Sequence, residues 1–236
     1  MAQTRTFKGR QFTAEVIVWA LRWYLMFPVS YRDLELMLAD RGLAVDHTTI
    51  FRWTQAYAED LEKRIRPHLR PSTGSWRVAE TYIKVKGHWT YLYRAVDSTG
   101  QTIDFLLSAE RDANAAKRFF RKALAQPHTR NPRTVTVDKN PAYPAAVAAM
   151  KRDDELWRFS RLRQVKYLNN IVEQDHRRIK RLVRPGLGFG GMRTAQRTLA
   201  GYEAMAMIRK GQVRNISRRD MRAQAAFIAG LFAVAA

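Results

Sequence analysis

Residues 76–107 read WRVAETYIKVKGHWTYLYRAVDSTGQTIDFLL, a stretch in which β-branched and aromatic side chains alternate with polar ones. Three runs of this kind stand out: 76–86, 89–96 and 102–107. Gly87-His88 separates the first two runs and the segment 97–100 separates the last two, and both are typical of hairpin turns. The pattern therefore predicts three consecutive antiparallel strands.

After these strands, helical and strand patterns alternate along the chain. Residues 114–126 carry apolar side chains at helical spacing, and the β-branched run 134–137, which ends on Asp138, predicts a strand buried on both faces. The remaining predicted elements are a helix over 141–151, a strand around 156–160 and a helix from 169 or 170 to 184. Three strands, helix, strand, helix, strand, helix is the element order of the ribonuclease-H-like fold, so we predict an α/β domain with a mixed five-stranded sheet.

The residues before this domain have a helical pattern of their own. Residues 12–27 predict an amphipathic helix, Ser30 to Asp33 reads as a capping box for a second helix, and Asp46 can cap a third helix over 47–63. Two helices joined by a glycine-containing turn form a helix-turn-helix module. In such a module the outward side chains at the start of the third helix would reach DNA: Thr48, Thr49, Arg52 and Gln55. The same spacing also suits an ordinary three-helix bundle.

The charge balance indicates an anionic partner. The chain has 42 Lys and Arg against 21 Asp and Glu, a net charge of +21, and residues 161–236 alone hold 16 basic and four acidic side chains, a net of +12. A local surplus of this kind is typical of a phosphate-facing surface. Because the longest apolar run is too short to span a bilayer, we expect nucleic acid and no membrane. The absence of cysteine excludes disulfides and a catalytic thiol and fits a reducing cytoplasm.

Breaks in these patterns set the predicted boundaries. Two prolines and a glycine interrupt the helical spacing over 67–74. We predict four segments: a helix-turn-helix domain over 1–66, a linker over 67–75, a ribonuclease-H-like domain over 76–184 and a C-terminal extension of loop and helices over 185–236. The final helix, predicted over 218–236, offers apolar side chains that we expect to bind a second chain: Phe227, Ile228, Leu231 and Phe232.

Four stretches carry a family resemblance. They are 76–87 (WRVAETYIKVKG), 91–97 (YLYRAVD), 136–143 (TVDKNPAY) and 166–180 (KYLNNIVEQDHRRIK). Together they closely resemble the transposases of the bacterial insertion sequence six family, and the resemblance covers most of the chain, from the helix-turn-helix to Gln212. It implies a DDE transposase, a DNA strand transferase in which three acidic residues hold two Mg²⁺ or Mn²⁺ ions.

The resemblance also assigns roles to individual residues. Asp138 matches the second acid, Glu173 the third with 34 residues between them, and Lys180 the basic residue seven positions further on. The first acid should directly precede Glu80, where this chain has Ala79. Because alanine offers no oxygen to a metal and the side chain of Glu80 points to the other face of its strand, we predict weakened metal binding. The chain would then bind DNA without cutting or joining it, whether through deliberate substitution or natural loss.

The helix that carries Glu173 has a basic face, and we predict that five of its side chains contact DNA: His176, Arg177, Arg178, Lys180 and Arg181. The resemblance implies double-stranded DNA as the partner, both the transposon ends and the target, and a homodimer or higher oligomer on that DNA. It also implies a protein of the bacterial cytoplasm that is associated with the nucleoid.

Two other functions stay open at this point. A non-catalytic helix-turn-helix protein, such as a repressor, would need neither Asp138 nor Glu173. A nuclease on the same fold would cleave RNA–DNA hybrids once an acid was restored at position 79.

Overall fold

The computed structural model describes residues 6–165 and 170–234. In chain order the helices and strands are α1 (Ala14–Met26), α2 (Tyr31–Ala39), α3 (His47–Ile65), β1 (Ser75–Val85), β2 (His88–Asp97), β3 (Thr102–Ser108), α4 (Ala113–Leu124), β4 (Thr134–Val137), α5 (Ala142–Arg152), β5 (Arg161–Gln164), α6 (Asn170–Val183), α7 (Met192–Arg209) and α8 (Met221–Leu231). Part of the stretch that carries the family resemblance, residues 166–169, lies outside the described residues. None of the described helices is both long and apolar enough to cross a membrane.

The chain divides into two units. Arg70–Lys180 forms the sheet unit, and Met1–Leu69 together with Arg181–Ala236 forms the helical unit. The C-terminal helices thus fold with the N-terminal ones, whereas the sequence pattern placed residues 185–236 in a segment of their own. The sequence pattern also placed a linker over 67–75. In the structure the boundary between the two units in this part of the chain falls between Leu69 and Arg70.

The sheet has five strands in the order β3-β2-β1-β4-β5. The first three strands pair antiparallel, while β4 is parallel to β1 and β5 is parallel to β4. This is the ribonuclease-H-like topology, which confirms the predicted fold class. The first hairpin turns on Lys86 and Gly87, which have φ values of 50° and 79°, so the turn lies one residue earlier than predicted and His88 already belongs to β2.

The two faces of the sheet are buried differently. One face packs on α4 and α5 around Trp76, Val78, Tyr93 and Phe119, which form the main core. On the opposite face Ala79 and Val96 pack against Val172 of α6. Successive residues of β1 therefore alternate between the large core and the α6 face, as the period of a strand requires.

The fifth strand is not where the sequence predicted it. Residues 156–160 form a loop in which Leu156 is buried while Trp157 and Phe159 are exposed, and β5 follows as Arg161–Gln164. The backbone N–H groups of Glu155 and Leu156 both donate to Met150 O and close the end of α5, which keeps this apolar segment out of the sheet. The strand itself is a polar edge strand, so it lacks the apolar signal on which the prediction depended.

Capping sets the start of two helices in the helical unit, as predicted. Ser30 and Asp33 form a reciprocal capping box at α2, and the Asp46 carboxylate accepts a hydrogen bond from the Thr48 backbone N–H at α3. Gly42 has a φ of 73° where the chain turns after α2.

One face of the last helix is buried within the helical unit. Ile228 and Phe232 are 1% and 2% exposed, and the Phe232 ring packs against Phe7 and Tyr57. Phe227 is partly covered, with its ring next to His68. Ile228 and Phe232 are therefore not available to a second chain, because they complete the core of their own unit, whereas Phe227 and Leu231 are half-buried.

Replacing Gly201 should weaken the packing of α7. A Cβ at Gly201 would lie 2.7 Å from Leu25 Cδ2 and 2.8 Å from Ala58 Cβ, so Gly201→Ala should lower the free energy of unfolding by about 1 to 3 kcal/mol, measured by urea denaturation. Gly230→Ala is the control, since nothing lies within 4 Å of its added Cβ; it should raise stability by about 0.5 to 1 kcal/mol. Equal denaturation midpoints for Gly201→Ala and the unaltered chain would contradict this packing.

Candidate active site

Strand register places position 79 beside Asp138. β1 and β4 run parallel with Arg77 opposite Thr136, and Ala79 and Asp138 each lie two residues further along. Because side chains two apart on a strand share a face, these two positions point the same way from neighbouring backbones about 5 Å apart. Asp138 follows the last residue of β4, where a carboxylate can leave the core and stay half-buried.

The helix α6, which carries Glu173, packs on the same face as Ala79. Val172 is buried against Ala79 and Val96, and Ile171 packs beside them. Glu173 is the next residue and is exposed in the first turn of α6, where the helix dipole favours a carboxylate. No salt bridge joins Glu173 to Arg177, although the structure describes both, so a simple helical ion pair does not account for this acid.

The surroundings of Asp138 raise the pKa of its carboxyl group. Burial is the main cause that raises the pKa of Asp138 above its usual value, and the carboxylates of Glu80 and Glu173 raise it further. The backbone N–H of Asn140, which donates to Asp138 Oδ1 over 3.0 Å, and the Arg111 guanidinium act in the opposite direction. Negative charge therefore accumulates at this end of the sheet.

Glu80 occupies the other face of β1, as predicted. Its side chain is 1% exposed and accepts hydrogen bonds from Arg111 Nε over 2.7 Å, from Asn140 Nδ2 over 2.8 Å and from the Tyr143 hydroxyl. These three partners hold the carboxylate against α5 and the loop after β4. Glu80 is thus anchored on the far side of the strand from Ala79.

A buried ion pair that the sequence analysis missed also lies on this face. Arg94, which is opposite Ala79 in the β1–β2 pairing, is 1% exposed and donates from Nη2 to Asp175 Oδ2 of α6 over 3.3 Å. The signal in the sequence was a charged residue in the middle of an otherwise apolar strand. A buried charge of this kind requires a partner from the element that covers it.

The basic face of α6 is smaller than predicted. Arg177, Lys180 and Arg181 are exposed, and Arg178 is partly buried. His176 is 4% exposed, so it does not face solvent and the prediction that it contacts DNA is wrong. His176 is buried because it lies one turn after Val172, on the same face of α6 as the apolar stripe formed by Val172, Ile179 and Leu182.

The predicted DNA-contacting residues of α3 divide in the same way. Thr48 and Arg52 are exposed and Thr49 is half-buried at the start of the helix. Gln55 instead turns toward α7, where its Nε2 donates to Thr198 Oγ1 over 2.9 Å. Three of the four side chains therefore remain available to a ligand.

The donor set at the candidate site does not fit two divalent ions. Asp138 and Glu173 supply carboxylate oxygens, but the position beside Asp138 that would hold the first acid is the methyl group of Ala79, 4% exposed. Among the described residues, the three-residue group with ligand atoms within 4.8 Å of one another is Glu35, Asp46 and His47, in the helical unit. There the His47 Nδ1 lies 2.9 Å from Glu35 Oε2, a contact that joins α2 to α3.

The chain is similar to known proteins over most of its length. A family model described as a DDE domain matches residues 73–212. The transposase for the insertion sequence-like element IS431mec of Staphylococcus aureus strain N315 is 37% identical over 211 residues, which are 89% of this chain and 91% of that protein. The transposase for insertion sequence element IS257 in transposon Tn4003 of Staphylococcus aureus has the same identity and coverage.

Among solved structures, the chain is similar to the catalytic core domain of HTLV-2 integrase in complex with magnesium. Its dimeric form has a TM-score of 0.44 and 15% identity, with 64% of this chain and 94% of that chain covered. The trimeric form has the same TM-score and 16% identity, over 63% of this chain and 95% of that chain.

The buried histidine should make stability depend on pH. Burial, followed by the charge of Arg94, lowers the pKa of His176 from 6.5 to about 3. Below pH 6.5 the unfolded chain therefore binds a proton that the folded chain does not, and the free energy of unfolding should fall by about 2 kcal/mol between pH 6.5 and pH 5.

The variant His176→Gln isolates this effect, because glutamine does not titrate. Its free energy of unfolding, measured by urea denaturation at pH 7, 6 and 5, should decline less steeply than that of the unaltered chain. Parallel declines in the two proteins would show that folding leaves the pKa of His176 unchanged and would contradict this prediction.

Proposed function

Because the chain belongs to the DDE transposases of the insertion sequence six family, we propose that it binds the terminal inverted repeats of an insertion sequence and that its strand-transfer chemistry is disabled at Ala79. The observation that carries the proposal is the register of β1 with β4, which sets Ala79 beside Asp138 on the face covered by α6. The net charge of +21 supports a nucleic-acid partner.

The proposed chemistry follows from the acidic positions. In a complete site of this family, divalent ions activate the attacking hydroxyl and stabilise the leaving oxygen at a phosphodiester. We assign Asp138 and Glu173 as the two acids that remain, and Lys180, two turns after Glu173 on the exposed side of α6, as the basic residue beside the DNA. The loss of the first acid leaves DNA binding intact, because phosphate contacts come from basic side chains elsewhere.

Restoring the first acid tests this proposal. Ala79→Asp should recover Mg²⁺- or Mn²⁺-dependent cleavage or strand transfer on inverted-repeat DNA, measured with end-labelled duplex on sequencing gels, while the unaltered chain shows neither. The reason is that the new carboxylate would join the position beside Asp138 that now lacks an oxygen.

Two matched variants complete that experiment. Ala79→Asn introduces a side chain with the shape of aspartate but without its negative charge, so it should recover far less activity than Ala79→Asp. The double variant Ala79→Asp with Asp138→Asn should lose the recovered activity again. Normal folding and duplex binding by Ala79→Asp without any strand transfer would refute the enzyme assignment. That result would favour the second candidate, a non-catalytic DNA-binding protein, for which Ala79 itself is the supporting observation.

We further propose that α3 reads duplex DNA through Thr48, Thr49 and Arg52. All three lie at the start of the helix, and the hydroxyl of Thr48 bonds to the capping carboxylate of Asp46, which holds this first turn in place. Gln55 is left out because it bonds to α7.

Removing Arg52 should therefore weaken sequence-specific binding. Arg52→Ala is expected to reduce the affinity for inverted-repeat duplex by about 1 to 3 kcal/mol at fixed salt, because a bidentate contact with guanine would be lost. Lys63→Ala is the control on the same helix, since Lys63 already pairs with Glu59 over 2.8 Å. Equal losses for the two variants in fluorescence anisotropy would count against α3 as the reading helix.

The remaining partners follow from the same proposal. Arg177, Arg178, Lys180 and Arg181 are assigned to DNA near the acidic residues, with the exposed members making the phosphate contacts. Joining two transposon ends to a target duplex requires at least two copies of the chain, so a homodimer or larger assembly should form on DNA. Its place of action would be the bacterial cytoplasm, at the nucleoid.

A further inference from the structure

A cavity of about 600 Å³ opens in the sheet unit at the N-terminal ends of the parallel strands, opposite the end where Asp138 lies. Its wall includes the first residues of three strands, Ser75 of β1, Thr134 of β4 and Arg161 of β5. Asp138 lies four residues after Thr134, about 13 Å along the strand direction. The cavity is therefore separate from the acidic site.

The wall of the cavity is positively charged. Of the described residues that line it, two are arginines, Arg133 and Arg161, and none is acidic. Within residues 6–165 and 170–234 neither guanidinium has a carboxylate within 4 Å. Asp97, the last residue of β2, is fully buried and its carboxylate accepts hydrogen bonds from Thr73 N and Thr99 N. The arginines thus face the cavity with their charge uncompensated by a neighbouring acid.

Two aromatic rings complete the wall. Trp157 and Phe159 are 43% and 61% exposed, and their rings meet edge to face with centroids 5.5 Å apart. A third arginine, Arg158, places its Cζ 4.7 Å from the centre of the Phe159 ring. These apolar rings lie on the surface beside cations, in the loop between α5 and β5, where they add little to the core.

We propose that this cavity binds an unpaired nucleotide of a DNA strand. The base would stack on Trp157 or Phe159, and the phosphate would bind Arg133 and Arg161, while the hydroxyls of Thr73 and Ser98, 2.9 Å apart, offer hydrogen bonds to the sugar. The volume suits a ligand of this size. A fully paired duplex does not fit the chemistry, because its bases are already stacked on one another.

The inference rests on the proposed DNA-binding function, but the two can fail separately. Binding of a fluorescent thymidine oligonucleotide of about 15 nucleotides tests the cavity, and binding of inverted-repeat duplex tests α3. Arg133→Ala with Arg161→Ala should weaken oligonucleotide binding and lower the slope of log affinity against log salt by about 1.4, as expected for two lost phosphate contacts on a single strand. Trp157→Ala should weaken the same binding at least about fivefold.

A matched control keeps this experiment specific. Arg121→Ala with Arg152→Ala also removes two exposed arginines from the sheet unit, but neither lines the cavity, and Arg121 already pairs with Glu155. This double variant should leave oligonucleotide binding within twofold of the unaltered chain. Equal losses for the two double variants, or an unaltered chain that does not bind the oligonucleotide, would overturn the proposal.

Photo-crosslinking identifies the contact directly. An oligonucleotide that contains 5-iododeoxyuridine should crosslink to tryptic peptides that carry Trp157 or Phe159, and mass spectrometry should locate the adduct on one of these rings. Crosslinks found only in other peptides would overturn the assignment.

Competition by a free nucleotide distinguishes a cavity that binds a nucleotide of a DNA strand from one that binds a free nucleotide. Thymidine monophosphate should compete with the oligonucleotide only at far higher nucleotide concentration, since it lacks the neighbouring phosphates. Competition by the monophosphate at equal nucleotide concentration would assign the cavity to a free nucleotide and overturn the DNA-strand proposal.

Discussion

The parallel pairing of β4 with β1 is the constraint on which the candidate site depends. β4 has four residues, and three of them are buried, so its register is set by which side chains enter the core. A shift of one residue would turn Val137 away from the core and Asp138 into it, which the burial of a carboxylate forbids. The same register that places Asp138 at the edge of the core places it beside position 79. The side chain at that position is the methyl group of Ala79, which offers no oxygen and packs against Val96 and Val172.

The helix α6 is held over this face by two different interactions. Apolar packing joins Val172 to Ala79 and Val96, and an ion pair joins Asp175 to the buried Arg94. Apolar contacts tolerate rotation of a helix, whereas a buried charge requires one partner in one geometry, and losing that partner typically costs about 3 to 5 kcal/mol. The ion pair therefore sets the rotation of α6, and with it the direction in which Glu173 leaves the helix.

The carboxylate of Glu80 shows why adjacency in sequence is not adjacency in a site. Glu80 follows Ala79 directly, and it lies near enough to Asp138 to raise the pKa of that residue. Its own oxygens, however, are bound by Arg111, Asn140 and Tyr143 on the other side of the sheet. These contacts join β1 to the loop after β4. Glu80 therefore acts on Asp138 from the opposite face of the sheet, through its negative charge and through its hydrogen bond with Asn140.

The sequence by itself determined the order of elements, the capping of α2 and α3 and the opposite faces of Ala79 and Glu80, because strand alternation, capping and helical spacing are local properties. It failed where the signal was not local. The strand β5 is polar and is recognised only by its pairing with β4. The aromatic side chains of Trp157 and Phe159 have the strand signal although they are exposed, so the prediction placed the strand over 156–160. Only the tertiary structure decided that His176 is buried, that Gln55 faces α7 and that the C-terminal helix completes the helical unit, because the burial of a side chain depends on what packs against its element.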